Sequence, residues 1–142
     1  MIVVPINYLT VVAAAVVSMV LGFLWYGPFF GKLWLKLMNF TPEKMASARA
    51  QGMGKSYALM TLGSLVMSYI LAHAVIFANA YLKMGGVSAG LMVGALNWLG
   101  FIAPVTLGTV LWEGKPWQLW WLNSAYYLVA LLLMGAILST WQ

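Results

Sequence analysis

The sequence predicts an all-α, polytopic membrane protein with four transmembrane helices. Both termini lie outside, and a short interfacial helix sits in the first cytoplasmic loop. Three observations predict this. Only 6% of the 142 residues are charged and 64% are hydrophobic, whereas a soluble domain carries about 25% charged residues. Four apolar stretches each exceed the ~20 residues needed to cross ~30 Å of hydrocarbon. Five of the seven Lys and Arg residues, Lys32, Lys36, Lys44, Arg49 and Lys55, fall in the single stretch 32–55, the mark of a loop left in the cytoplasm.

The length suits one transmembrane domain, 1–142, without a separate soluble module. A net charge of +5 does not imply nucleic acid, because a nucleic-acid binder needs a basic face on a water-soluble fold. The absence of cysteine excludes disulfides, thiolate metal sites and Cys nucleophiles. Met1 to Thr10 has no Lys or Arg, unlike the positive start of a secretory signal, so the first apolar run reads as a retained span.

Span one covers about 7–27 and is closed by Gly27-Pro28, where proline stops the helix. The cytoplasmic loop covers about 28–54. Within it, Leu33, Leu37 and Phe40 share one face of a short helix and Lys32 and Lys36 another, a pattern suited to the membrane interface. Thr41-Pro42 reads as the N-cap and first position of a second, polar helix through Arg49. Span two covers about 55–82 and stops at Lys83 and Gly85-Gly86. Span three covers about 88–112, with a kink at Pro104. Span four covers about 116–141. Gly114 and Pro116 bracket a tight turn, so spans three and four form an antiparallel hairpin.

Charge fixes the orientation. With the first loop inside, six Lys and Arg (five there plus Lys115) are cytoplasmic and only Lys83 is outside. A bacterial inner membrane is the expected location. Trp25, Tyr26, Phe29, Phe30 and Trp34 then cluster at the inner end of span one, and Trp112, Trp117, Trp120 and Trp121 at the inner turn. Such rings prefer the headgroup layer.

Small residues recur every four positions: Ala14, Ser18, Gly22; Ser64, Ser68, Ala72; Gly86, Gly90, Gly94; and Gly100, Pro104, Gly108. Each row allows close helix approach in lipid, within the chain or between copies. Leu24-Trp25-Tyr26-Gly27 and Leu111-Trp112-Glu113-Gly114 share a Leu-Trp-x-Gly pattern, which fits a duplicated hairpin.

Intramembrane polar residues are the functional candidates. His73 is the only ionisable one. Asn97 lies at a similar depth and Tyr69 is one helical turn away, so a His73–Asn97 hydrogen bond is an expectation. His73 reads as a structural histidine, a proton- or substrate-handling group, or a cofactor ligand of haem, pigment or quinone. Glu113 sits at a helix C-terminus, where the dipole disfavours a carboxylate, so compensation by Lys115 or the basic loop is expected. Asn123, Tyr126 and Tyr127 face the same inner half. Ten methionines invite Cu(I), but none are three or four residues apart, so they read as packing. No metal site and no cofactor is predicted. Without Asp or Cys and with one His and two Glu, no catalytic triad or carboxylate pair can be drawn, and no enzyme is expected.

Trp25-Tyr26-Gly27-Pro28, followed by Phe30-Gly31-Lys32-Leu33-Trp34, resembles the signature after the first span of domain-of-unknown-function family 1761. Further likeness lies in Trp98-Leu99-Gly100-Phe101, Glu113, Lys115-Pro116-Trp117, Asn123, Tyr126 and Met134-Gly135-Ala136-Ile137-Leu138. The resemblance spans almost the whole chain. It implies a small, all-helical, mostly bacterial membrane protein and carries no activity with it. It marks Trp25, Tyr26, Gly27, Pro28, Gly31, Lys32, Trp34, Glu113, Lys115, Trp117 and Asn123 as a cytoplasmic-face signature. The expected role is a structural or accessory subunit that packs with itself or a larger membrane complex, with anionic lipid at its cytoplasmic face. The alternatives are a small oligomeric channel or transporter lined by His73, Asn97 and the glycine face of span three, and a pigment, haem or quinone binder through His73.

Overall fold

A computed structural model describes residues 3–141; the secondary structure of the described residues is all helical, joined by short loops and turns, with no strand. The helices are α1 (Tyr8–Leu24), α2 (Gly31–Leu37), α3 (Pro42–Ala50), α4 (Gly54–Leu82), α5 (Gly86–Asn97), α6 (Ala103–Thr106), α7 (Gly108–Leu111) and α8 (Trp117–Thr140). Two five-residue π turns, Trp25–Phe29 and Trp98–Ile102, follow α1 and α5. Four helical stretches are long and apolar enough to cross a membrane: Tyr8–Phe29, Gly54–Leu82, Gly86–Leu111 and Trp117–Thr140.

Local signals explain the boundaries. The Asn7 side chain accepts from the Leu9 and Thr10 N–H groups and starts α1. Thr41 caps α3, accepting from the Lys44 N–H at 3.2 Å, with Pro42 at the first position. Lys83 ends α4 in the left-handed region at φ 52°, and Gly114 turns the chain before α8 at φ 70°.

Span one departs from the predicted stop at Pro28. The helix continues to Phe29 because its last turn widens. The Phe30 N–H donates to the Trp25 carbonyl five residues back, at 2.8 Å. This wider turn accommodates the proline ring, which would otherwise crowd the carbonyl four residues earlier. Span three breaks in the same way one turn before Pro104. There the Ala103 N–H closes onto the Trp98 carbonyl.

α8 is the axis of the bundle. Half of its most apolar window is buried, against 22–28% in the other spans. α1 and α5 flank it, and α4 packs against all three. The core joins Val11 and Ala14 of α1, Leu71 and Val75 of α4, Val93 of α5 and Leu131, Met134 and Leu138 of α8. Association in lipid rests on close packing and hydrogen bonds, since lipid tails are as apolar as the side chains. Three of the four small-residue rows are used inside the chain. Ala14 and Ser18 are fully buried, as is Ser68. Gly90 and Gly135 meet backbone to backbone, so that a Cβ on either would enter the other's carbonyl, and Gly94 meets Leu131 likewise. By contrast, Gly100 and Pro104 are exposed.

Candidate functional site

Hydrogen bonds between spans concentrate at the basic-loop end of α8. The two tryptophans that open the π turns reach it from opposite flanks. Trp25 Nε1 donates to the Leu122 carbonyl at 3.1 Å, and Trp98 Nε1 donates to the Ser124 carbonyl at 2.8 Å. Between them, the Tyr26 hydroxyl donates to Asn123 Oδ1 at 2.8 Å. Trp120 Nε1 donates to Thr106 Oγ1 at 3.0 Å. One turn deeper, the Tyr126 hydroxyl donates to the Ser18 carbonyl at 2.9 Å.

These contacts frame two adjoining cavities, taken together as a cleft of two lobes because they share Tyr26 and Tyr127 as lining residues. The first has a volume of about 320 Å³ and is walled by Trp34, Trp120, Tyr26 and Tyr127, with Thr106, Thr109 and Asn123. The second, about 420 Å³, lies between α1 and α4 and is floored by Gly22, Ser64 and Tyr126. Tyr26 and Tyr127 line both. α2 closes the first lobe: Trp34 packs edge-on against Tyr26 at 5.8 Å and stacks on Phe40 at 5.4 Å. Lys32 and Lys36 stand on the exposed side of α2. The second lobe exists because α4 leaves the bundle at this end. From Gly54 to Gly63 only Thr61 is even half-buried.

The predicted polar pair is not formed. His73 Nδ1 bonds the Tyr69 carbonyl of its own helix at 2.9 Å, and Asn97 Nδ2 donates to the Val93 carbonyl at 2.8 Å. In a dry setting a side chain takes the nearest free lone pair, which here is on its own helix. Tyr69, His73 and Phe77 form a row with ring centroids 4.6 and 6.0 Å apart. Asn97 lines a separate apolar notch with Leu71 and Phe101. The glycine face of span three closes on α8, so Gly90 and Gly94 line no path.

The signature residues divide. Trp25, Tyr26, Trp34 and Asn123 build the cleft, while Gly27 lines its apolar lobe. Gly31 is buried because its Cα sits against the Tyr26 carbonyl, where no Cβ fits. Pro28 lies in the π turn. Glu113 and Trp117 are exposed and Lys115 is half-buried. All three stand outside the cleft; the Lys115 N–H donates to the Thr109 carbonyl at 3.0 Å. The Leu-Trp-x-Gly repeat does not correspond to matched structure, since Trp25 turns inward while Trp112 is 86% exposed. The structural echo is instead Trp25-Tyr26-Gly27 with Trp98-Leu99-Gly100, each opening a π turn. Thr106 and Trp120 also belong to the site, and a threonine two residues beyond Pro104 is the available signal.

Residues 9–139 match the sequence model of a family described as a protein of unknown function, DUF1761. The chain belongs to that family. Its DUF1761 match takes in both π turns and all four spans but for the end residues Tyr8 and Thr140. No curated protein and no solved structure matches the chain.

Proposed function

We propose that this DUF1761 protein is a non-enzymatic, multi-pass protein of a bacterial inner membrane. In this reading both termini are outside, and the chain serves as a structural or accessory subunit of a membrane assembly. The observation that carries it is how the cleft's polar groups are used. Tyr26, Trp25, Trp98 and Trp120 direct their hydrogen bonds to neighbouring spans, and Thr106, whose hydroxyl donates to the Ile102 carbonyl of its own span, accepts from Trp120. Groups committed to holding helices together are positioned to shape a surface, not to move protons. The exposed Gly100–Pro104 side of span three, with no heavy atom near the Gly100 Cβ position, offers a second helix close backbone approach. Anionic lipid accompanies the basic loop.

Gentle detergent extraction followed by native mass spectrometry tests the assembly. A homo-oligomer or a heteromeric membrane complex is expected, and recovery of the monomer alone would overturn it. Reporter fusions at Gln142 and near Arg49 test the orientation. An active cytoplasmic reporter at Gln142 would refute it.

A further inference from the structure

The cleft has a chemical character that helix packing alone does not require. Its first lobe is walled by aromatic rings and carries no charged side chain. Lys32 and Lys36 face away on the outer side of α2. An anionic or zwitterionic head placed there would lose water without gaining a counter-charge, which is costly. The head that fits is therefore uncharged.

Two polar groups in this lobe remain uncommitted among the described residues. Asn123 uses its Oδ1 to accept from Tyr26, which leaves both hydrogens of its amide nitrogen. Tyr127 lines both lobes, its ring packs on Tyr126 at 4.9 Å, and its hydroxyl has no protein hydrogen-bond partner among the described residues. Both are donors, and donors ask for an acceptor such as a carbonyl oxygen. Trp34, Trp120 and Tyr26 supply flat, polarisable walls, which favour a planar head. The second lobe continues from Tyr26 and Tyr127 into apolar space bounded by Met19, Phe23 and Met60. Phe23 and Met60 are 77% and 58% exposed, so this lobe opens sideways into lipid. Each lobe falls within the range of about 300–1,000 Å³ usual for small-molecule sites.

We propose that the cleft binds an uncharged amphiphile of the quinone class. Its planar, carbonyl-bearing head sits between Trp34 and Trp120 within reach of Asn123 and Tyr127. Its apolar tail runs past Tyr26 into the fork between α1 and α4. This site is separate from His73, which lines none of the cleft. Binding and release involve no covalent step. The proposal goes beyond the accessory role and stands or falls independently of it.

The test uses the full chain in phosphatidylcholine nanodiscs, titrated with decylubiquinone and followed by quenching of tryptophan fluorescence. Saturable quenching is expected even with phospholipid in large excess. Tyr127→Phe removes a hydroxyl that makes no hydrogen bond among the described residues and keeps the ring that packs on Tyr126, so its melting temperature should equal the wild type's. Its affinity should fall about three- to tenfold, the worth of one hydrogen bond. A tail-free quinone at equal membrane concentration should bind at least tenfold more weakly, since it leaves the second lobe empty. Quenching that rises linearly without saturation would overturn the proposal. So would a Tyr127→Phe titration that superimposes on the wild type, or equal affinity for the tail-free quinone.

Discussion

At the scale of single residues, glycines with the same sequence spacing have opposite meanings. Gly90 touches the backbone of Gly135, whereas Gly100 has open space around it. Gly90→Ala must push α5 off α8 and should cost about 1–3 kcal/mol. Gly100→Ala should fall within about 0.5 kcal/mol of the wild type. Thermal or denaturant unfolding in micelles compares the two. The spacing alone marked both rows as small-residue faces, but it could not say which had a partner, because contact depends on where the other helix runs. The same limit applied to His73 and Asn97. Their depths were legible in the sequence, but their bonding was not, since a carbonyl on the same helix lay closer than any partner. Sequence position marks Trp25 as an interfacial ring and says nothing of Trp98's role. Trp25 and Trp98 both spend their indole N–H groups on α8. Trp98→Phe should destabilise the bundle by at least about 0.6 kcal/mol, within the range of intramembrane hydrogen bonds.

At the scale of elements, the four spans, the polar helix capped by Thr41 and the tight turn at Gly114 were all legible, because length, caps and turn residues act locally. The π turns were not. Gly27-Pro28 and Pro104 announced a disturbance, but a stop, a kink and a widened turn all answer the same missing N–H. The widened turn prevails where a tryptophan side chain gains a bond on a neighbouring helix. Pro104→Ala restores a donor to the Gly100 carbonyl and should draw span three toward regular α geometry. Thr106 would then withdraw from Trp120. The expected outcome is a red-shifted tryptophan emission with helix content unchanged or slightly raised by circular dichroism. An unshifted spectrum would show that Trp120 does not depend on the break.

At the scale of the whole molecule, the charge distribution and the packing describe different ends of one design. The basic loop joins the first two spans, while the bonds that tie the bundle together converge on the fourth. Among the described residues, all but one of the side-chain hydrogen bonds between spans end on α8 or its cap, the exception being Ser68 to the Val11 carbonyl. No hydropathy pattern reveals that hierarchy, since the four spans look alike as apolar stretches. It also bears on how the protein is made. A ribosome delivers the spans in order, so the three that share α8 as their partner enter the bilayer before it does. Until Trp117 and the residues after it have been inserted, Trp25 and Trp98 have no acceptor and Gly90 and Gly94 have nothing to close on. The nascent chain therefore waits as loosely associated helices. A chain ended at Lys115 should be inserted yet remain open to membrane proteases that leave the complete protein intact, which pulse-chase degradation would measure.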